Sequence, residues 1–348
     1  MRLAVLDTLK PAPLSDTGPR SIAAVRMLRV SVTDRCNFRC GYCMPATGVQ
    51  WLPKDDLLTF EQIEQVVRTA VDAHGIDHIK LTGGEPTLRR GIVELVERLR
   101  RVPGIADLSM TTNGFALAKL AQPLRDAGLD RVTVSMDSLD PAKFRRITRT
   151  GDLPTVRRGI DTALDVGLRV KLNVVAMRGI NDNEFADFAD LTCTLPITVR
   201  FIEYMPLGES AFYEDASDDE VGPAGGCGAP RMSGDVFINE ADIRARIGTL
   251  VECEPDVGVG PAIVWQVPGG VGRVGFISAM SAPFCSTCNR LRLTATGILR
   301  SCLFDGGEVD LKPHLRADTV ADAMVQCVAL KPDTHSAHGN QQMSRIGG

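Results

Sequence analysis

Apolar residues alternate in short stretches along the first part of the chain, and each stretch is followed by a segment with helical spacing. Residues 28–34 alternate as a β-strand does, and apolar side chains then recur at helical spacing over 60–74. Thr59 and Gln62 have the spacing of a capping box, which predicts where this helix begins. The pattern therefore predicts a strand–helix unit.

Six such units follow one another between residues 28 and 205. Repeated strand–helix units imply a parallel sheet with right-handed crossovers. A complete eight-unit barrel needs about 250 residues, so we predict an α/β protein built as an incomplete (β/α)6 TIM-type barrel. Pro141 suits the first turn of a helix after the fourth strand. The further predicted strands are 78–84, 106–114, 131–137, 169–177 and 197–205, and the further helices are 91–101, 116–127, 155–166 and 184–193.

The alternation of predicted strands and helices ends at an acidic segment rich in glycine and proline. Such a composition is typical of a flexible surface insertion. Beyond it the pattern predicts helices over 240–250 and 317–330 and two short strands within 262–280. We predict four regions: a flexible N-terminal arm over 1–26, the partial barrel over 27–208, the acidic insertion over 209–235, and a C-terminal region over 236–348.

The composition is that of a globular protein, with 348 residues, 44% hydrophobic and 24% charged. The net charge of −4 argues against a nucleic-acid binder, which needs a basic surface for phosphate contacts. No apolar run approaches the roughly 20 residues that cross a bilayer. Asp7 and Lys10 interrupt the only apolar stretch near the N-terminus, so we expect no export signal and a cytoplasmic protein.

Ten cysteines are unusual for such a chain, and in a reducing compartment clustered cysteines more often bind metal. Cys36, Cys40 and Cys43 follow the first predicted strand, at the end where β/α barrels place their active sites. Their spacing suits a [4Fe–4S] cluster with one iron that lacks a protein ligand. A structural zinc site completed by a distant residue is the alternative.

A second set comprises Cys285, Cys288 and Cys302. A zinc site with His314 as the fourth ligand fits this spacing as well as a cluster does. Arg290 and Arg292 share a face if this segment is a strand, and two guanidinium groups beside a metal would suit a phosphate. A solvated pair of surface arginines is the alternative. The remaining cysteines are expected to be inert thiols: Cys193, Cys227, Cys253 and Cys327.

The first cysteine set, with Tyr42 before its last member, and the segment LTGGEP at 81–86 resemble the signature of the radical S-adenosylmethionine (SAM) enzymes. The resemblance implies that SAM chelates the open iron, and that one electron cleaves it to methionine and a 5′-deoxyadenosyl radical. Tyr42 would contact the adenosine. Gly84 would offer its backbone to SAM, because a residue without a Cβ lets a ligand approach closely.

Within that superfamily, the chain is similar to the GTP 3′,8-cyclase family of lyases, which catalyses the first step of molybdenum cofactor biosynthesis. The segment FCSTCNRLRLTATGILRSCLF is its most specific element. The resemblance implies that the radical removes the C3′ hydrogen of GTP. The carbon radical then adds to guanine C8, and reduction and protonation of the resulting aminyl radical give (8S)-3′,8-cyclo-7,8-dihydroguanosine 5′-triphosphate. The similarity is carried by residues 29–45, 79–90, 108–114, 131–140, 169–182, 198–208, 283–304 and the terminal Gly-Gly.

The resemblance also assigns the other site residues. A second [4Fe–4S] cluster in the C-terminal extension would be held by the second cysteine set, with its open iron facing the guanine. Arg290 and Arg292 would act in catalysis beside it. SAM would be lined by Tyr42, Gly84, Ser135 and Met205. GTP would contact Arg29, Lys80, Thr111, Lys171, Arg290, Leu291 and Arg292.

The same resemblance implies a one-electron donor, a downstream cyclic pyranopterin monophosphate synthase, a homodimer, and a Gly-Gly tail that reaches toward the active site. Two other interpretations remain open. A peptide-modifying radical SAM enzyme with an auxiliary cluster usually carries more cysteines downstream. A zinc-stabilised binding protein without catalysis would be colourless and contain zinc.

Overall fold

The computed structural model describes residues 18–45, 48–207, 236–254, 258–304, 306–336, 339 and 343–347. The predicted acidic insertion, including Cys227, and the first part of the predicted arm lie outside these residues. None of the described helices is long and apolar enough to cross a membrane.

The six predicted strand–helix units are present. Helix α1 begins with the predicted capping box, in which the Thr59 hydroxyl accepts from the Gln62 N–H and the Gln62 side chain accepts from the Thr59 N–H. The strands are β1 (Met27–Ser31), β2 (His78–Thr82), β3 (Asp107–Thr112), β4 (Arg131–Ser135), β5 (Arg169–Ala176) and β6 (Thr198–Glu203). The helices are α1 (Phe60–His74), α2 (Ile92–Arg100), α3 (Leu117–Asp126), α4 (Pro141–Thr148), α5 (Leu153–Asp165) and α6 (Phe185–Thr194).

The C-terminal region contributes further strands to the same sheet. They are β7 (Val251–Glu252), β8 (Ile263–Gln266), β9 (Arg273–Ile277), β10 (Arg290–Leu293), β11 (Ile298–Arg300) and β12 (Glu308–Asp310). Its helices are α7 (Glu240–Ile247), α8 (Leu311–Ala317), α9 (Val320–Ala329) and α10 (Met343–Ile346). Strands β8 and β9 are the two predicted within 262–280, whereas β11, β12 and α8 have no counterpart in the sequence prediction.

The sheet is wider than six parallel strands. Strand β10 pairs in parallel with β1, and β9 pairs in parallel with β6, so eight neighbouring strands run in one direction. Antiparallel strands β11 and β12 extend one side, and β8 and β7 extend the other. The outer strands β12 and β7 do not pair with each other, so the barrel stays open. The prediction of an incomplete, barrel-like parallel sheet is confirmed.

The two faces of the sheet differ in polarity because successive strand residues point to opposite sides. Leu28 and Val30 of β1 lie in the main hydrophobic core, as does Leu291 of β10. That core also contains the apolar face of α1, formed by Ile63, Val66, Val67 and Ala70. The strand residues between these buried positions are polar or basic, and they point to the opposite face of the sheet. That face therefore needs a polar partner.

Both ends of the described chain pack against the barrel. Val25 is buried, and the Arg20 guanidinium donates to the Lys331 carbonyl at 2.8 Å, so residues 18–26 of the predicted arm are fixed in place. Because one sheet includes strands from both sides of the predicted boundary at residue 236, the four-region division remains a prediction.

Leu291 and Leu88 provide a matched test of the β10 placement, since the first is fully buried and the second is 46% exposed. Truncating a buried leucine loses apolar transfer energy and leaves a cavity. We expect Leu291→Ala to lower the free energy of unfolding by about 2–5 kcal/mol and Leu88→Ala by less than about 0.5 kcal/mol. Urea unfolding of the metal-free protein measures both, and equal effects would contradict the placement of β10 in the core.

Candidate active site

A cavity of about 400 Å³ lies against the polar face of the sheet, and both cysteine sets line it. Cys36, Cys40 and Cys43 follow the carboxyl end of β1. Cys285 and Cys288 precede the amino end of β10, and Cys302 follows β11, which runs antiparallel to β10. Because β10 is parallel to β1, the first set lies at the carboxyl ends of the parallel strands and the second set at their amino ends. Both sets face one cavity.

The first cysteine loop continues the pairing of β1 and β2 beyond the ends of both strands. The Gly84 N–H donates to the Thr33 carbonyl and the Glu85 N–H to the Arg35 carbonyl, both at 2.7 Å. A Cβ on Gly84 would overlap the carbonyl oxygens of Asp34 and Arg35. The structure therefore gives glycine at 84 a reason that the sequence did not suggest, which is close backbone packing against the cysteine loop.

Tyr42 is oriented by a buried carboxylate. Its hydroxyl donates to Asp137 Oδ2 at 2.8 Å, and the Val175 N–H donates to Asp137 Oδ1 at 2.9 Å. Burial raises the pKa of Asp137 to about 6, although these two hydrogen bonds lower it. Ser135 ends β4 and Met205 follows β6, so all the residues predicted to contact SAM line the cavity at the carboxyl edge or beside it.

Three basic residues lie side by side across the middle of the cavity. Arg292 of β10 is in register with Arg29 of β1, which is in register with Lys80 of β2. Burial, followed by neighbouring cations, lowers the pKa of both Arg29 and Lys80 well below the usual values. Arg29 Nε is buried and has no hydrogen-bond partner among the described residues. We call Arg29, Lys80 and Arg292 the cation row.

Other predicted substrate residues lie around the cation row, with one exception. Thr111, Lys171 and Arg290 line the cavity. Leu291 does not: its side chain is fully buried in the hydrophobic core on the other face of β10.

Sequence reasoning missed Arg200, which lines the same cavity from β6. Its guanidinium donates to Asn173 Oδ1 at 2.6 Å and to Thr133 Oγ1 at 3.3 Å. Like Lys171, it is a basic residue inside a predicted strand of otherwise apolar character, and that signal could have identified it.

The second cysteine set lies in a basic environment. Lys331 Nζ donates to the Cys288 carbonyl at 2.8 Å. Burial raises the pKa of the Cys288 thiol, but Lys331, Arg290 and Arg292 outweigh burial, and the pKa lies below its ordinary value. At the first set, burial raises the pKa of Cys36 to about 11 and that of Cys43 to about 12. The thiolate, which is the form that binds metal, is therefore favoured at Cys288.

The zinc alternatives have little geometric support. His314, considered as a fourth ligand, does not line the cavity, and its Nδ1 is hydrogen bonded to the Thr319 hydroxyl at 2.8 Å. In the part of the chain that the structure describes, no three His, Cys, Asp or Glu side chains are close enough to hold a single metal ion. A zinc ion gathers its ligands within about 2.3 Å of one centre, whereas cluster thiolates bind separate irons.

The C-terminal tail enters the cavity. Arg292 Nη1 donates to the Gly347 carbonyl at 2.7 Å, and Gly347 has a φ of 72°. A Cβ there would lie 3.0 Å from the side chains of Ser31 and Thr82. Arg345 is exposed and points away from the cavity lining. The expected approach of the tail to the active site is therefore observed up to Gly347.

The sheet and the cysteine loop define a radical SAM enzyme. The family described as "Radical SAM superfamily" matches residues 30–192, and "Molybdenum Cofactor Synthesis C" matches residues 197–337. The GTP 3′,8-cyclase of Pelotomaculum thermopropionicum is 45% identical, and that of Moorella thermoacetica is 44% identical, each over 96% of this chain and 100% of the relative. The GTP 3′,8-cyclase of Alkaliphilus metalliredigens is 40% identical over the same shares. The chain belongs to the GTP 3′,8-cyclase family.

Gly84 and Gly260 offer a matched test of the cysteine-loop packing, because both line the cavity and neither has a positive φ. A Cβ on Gly260 meets nothing closer than Arg200 Nη1 at 4.0 Å. We expect Gly84→Ala to destabilise the metal-free protein by about 1–3 kcal/mol through overpacking and to reduce iron loading, with Gly260→Ala close to wild type. Thermal unfolding and iron analysis measure these effects, and a stable, fully loaded Gly84→Ala protein would contradict the role of this contact.

Asp137 predicts a pH dependence of stability. Its folded pKa is raised from 3.8 to about 6, so its stabilising contribution is present below pH 4 and is lost as the pH rises through 6. At 1.36 kcal/mol per pKa unit this amounts to about 3 kcal/mol. Asp137→Asn should therefore unfold at a higher temperature than wild type at pH 7.5, with the difference disappearing near pH 4.

The measurement is thermal unfolding of the metal-free protein across this pH range. Asp152→Asn is the control, because hydrogen bonds to Thr155 lower the pKa of that exposed carboxyl. No gain is expected from it at neutral pH. A pH-independent difference between wild type and Asp137→Asn would mean that the Asp137 carboxyl is not titrating as its burial requires.

Proposed function

We propose that the chain is a GTP 3′,8-cyclase that binds SAM at the carboxyl edge of the barrel and GTP across its middle. One observation carries this proposal: a single cavity joins two three-cysteine sets from opposite edges, and the cation row lies between them. A radical generated at one end can act only on a substrate held in the same enclosed space, and the row provides positive charge for a triphosphate.

The carboxyl end fits SAM. Cys36, Cys40 and Cys43 would hold a [4Fe–4S] cluster, which with SAM supplies the 5′-deoxyadenosyl radical. Tyr42, fixed by Asp137, offers a ring and Ser135 a hydroxyl toward the nucleoside. Met205 adds apolar surface, and the backbone at Gly84 provides hydrogen-bonding groups near the cysteine loop.

The middle of the cavity fits GTP. Arg29, Lys80 and Lys171 bind phosphate oxygens, because buried cations that repel one another are stabilised by an anion. Thr111 Oγ1 is buried, has no hydrogen-bond partner within the described part of the chain, and is available to the ligand. These residues orient the ribose so that C3′ faces the radical and guanine C8 lies within bonding reach of C3′. The product is (8S)-3′,8-cyclo-7,8-dihydroguanosine 5′-triphosphate, the first intermediate of molybdenum cofactor biosynthesis.

The opposite end fits the guanine beside a second [4Fe–4S] cluster on Cys285, Cys288 and Cys302. This part of the proposal is supported by the three thiols on the cavity wall and by the cations that favour the Cys288 thiolate. Three cysteines leave one iron open toward the base. Arg290, Arg292 and the backbone of Leu291 would contact the substrate from this side.

Further expectations follow from the reaction. It needs a one-electron donor, and its product must be rearranged by a downstream cyclic pyranopterin monophosphate synthase. A homodimer and a cytoplasmic location remain predictions. A peptide-modifying enzyme would leave the cation row without a role, and a zinc-stabilised binding protein would have no use for the cavity.

The test is anaerobic reconstitution with iron and sulfide, followed by assays of 5′-deoxyadenosine and cyclised nucleotide. Wild type should bind about eight irons if both clusters form. Cys40→Ala should abolish SAM cleavage, whereas Cys288→Ala should retain some SAM cleavage without forming cyclised product. Cys193→Ala, a cysteine outside the cavity lining, is the control and should behave as wild type.

About four irons, with zinc at the second cysteine set, would remove the second cluster from the proposal. Full product formation by Cys288→Ala would contradict the separate roles of the two sets. Absence of SAM cleavage in reconstituted wild type would contradict the function itself.

A further inference from the structure

We propose that the surface above the first cysteine set is the docking site of a small acidic electron-carrier protein. The inference rests on the proposed function, since SAM cleavage needs one electron at that cluster. The partner is defined by its acidic surface, and the side chains that would bind it lie around the first cysteine set. We call this surface the docking surface, formed by Arg35, Leu88, Arg90, Phe115, Lys119 and Arg145.

The docking surface surrounds Cys36. Arg35 precedes this cysteine, and its carbonyl accepts from the Glu85 N–H; the Leu88 N–H in turn donates to the Glu85 carbonyl at 3.1 Å. Leu88 therefore lies in the turn that pairs with the cysteine loop, and Glu85 connects it to Arg35 through these two hydrogen bonds.

Phe115 is attached to the same loop from another side. Its N–H donates to Asn113 Oδ1 at 3.0 Å, and Asn113 Nδ2 lies 3.9 Å from Cys36 Sγ. The Phe115 ring also packs edge-on against Phe38, with the ring centroids 6.2 Å apart. Lys119 lies one turn further along, on α3.

Arg145 completes the surface from α4. Its Nη1 donates to the Thr150 carbonyl at 2.9 Å, and the Thr150 hydroxyl donates to the Asn37 carbonyl at 2.7 Å. Asn37 follows Cys36 directly. Four separate segments therefore present exposed side chains around one cluster ligand.

The chemistry of this surface is an apolar centre within positive charge. Leu88 and Phe115 are 46% and 44% exposed, which is unusual for large apolar side chains in this chain. Arg35, Arg90, Lys119 and Arg145 are exposed, and none of them forms an ion pair within the described residues. Hydrogen bonds from Thr155 lower the pKa of the nearby Asp152 carboxyl, and the positive charge of Arg145 lowers it further.

Other basic residues near this surface are neutralised locally. Arg68, Arg98 and Arg101 on α1 and the adjoining α2 segment each pair with a glutamate four residues earlier. The net charge of the chain is −4, so the four cations around Cys36 form a positive patch on a protein that is acidic as a whole. Complementary charge attracts an acidic partner and accelerates its encounter.

An electron carrier fits this surface better than a structural partner does. Electron-transfer complexes are small and transient, and a two-residue apolar centre with a charged rim suits them. The carrier's reduced low-potential centre gives one electron to the cluster and is left oxidised by one electron. No bond is formed or broken in this step and no proton is transferred.

The experiment compares two reductants in the reconstituted holoenzyme. Reduced flavodoxin, a small acidic flavoprotein, serves as the probe, and dithionite serves as the small-molecule reference. The test variant is Arg90→Glu with Lys119→Glu, which changes two exposed side chains of the docking surface. The control is Arg125→Glu, an exposed residue at the opposite end of α3.

We expect 5′-deoxyadenosine formation with flavodoxin at low salt to fall roughly tenfold or more in the double variant. With dithionite it should stay at the wild-type rate, and Arg125→Glu should match wild type with both reductants. The remaining flavodoxin rate should depend less on salt than that of wild type. Titration with oxidised flavodoxin should show binding weakened by roughly tenfold, independently of catalysis.

Flavodoxin rates and binding that are unchanged in the double variant would overturn the docking surface. An equal loss with both reductants would also overturn it, because the substitutions would then act on the cluster. If wild type failed to cleave SAM with dithionite, the proposed function would be contradicted, and the docking surface with it. This outcome is distinct from the other two because it is seen with wild type alone.

Discussion

Burying three cations together, at the same level of three adjacent strands, is energetically unfavourable, and much of the architecture follows from that constraint. Arg292, Arg29 and Lys80 are neighbours in register, and burial together with mutual repulsion disfavours their charged forms. A closed, packed barrel interior would leave these charges without a partner. An open barrel with a cavity allows an anionic ligand to supply the missing charge, so the polar face of the sheet suits a binding site for an anion.

The two ends of the cavity have opposite electrostatic character. At the carboxyl edge, Glu85 and Asp137 are buried beside the first cysteines, and burial followed by Glu85 raises the pKa of Cys36. At the other edge, Lys331 and Arg290 lie beside Cys288 and lower the pKa of its thiol against the effect of burial. This difference fits the proposed arrangement, in which the positive sulfonium of SAM lies at the carboxyl edge and the triphosphate of GTP lies away from it, on the cation row.

The repeating part of the fold could be predicted from sequence because its signals are local. The capping box at Thr59 and the strand pattern over 28–34 depend on residues that are close in the chain. The capping box is observed, and the strand is present as Met27–Ser31, three residues shorter at its end than predicted. The parallel pairing of β10 with β1 joins segments far apart in sequence, and no local pattern in four residues specifies a partner. Leu291 is a different case, because the alternation that places Arg290 and Arg292 on one face of β10 already puts the side chain between them on the other face.

The site was predicted more completely than the reasons for its residues. The cysteines and all three members of the cation row carried motif or charge signals, whereas Arg200 was recognisable only by its position on a strand. Gly84 shows the difference most clearly, since its identity was noted but its cause is the approach of the Asp34 and Arg35 carbonyls. Backbone packing between two loops leaves no trace in either loop's own sequence.

Arg292 joins three parts of the site that would otherwise be independent. It belongs to the cation row, it lowers the pKa of Cys288, and its Nη1 donates to the Gly347 carbonyl of the tail. A guanidinium can serve these roles together because its donors are fixed in a planar fork. A lysine ammonium would offer one centre of charge at one position. The hydrogen bond to the Gly347 carbonyl therefore ties the position of the C-terminal tail to a member of the cation row that lines the cavity.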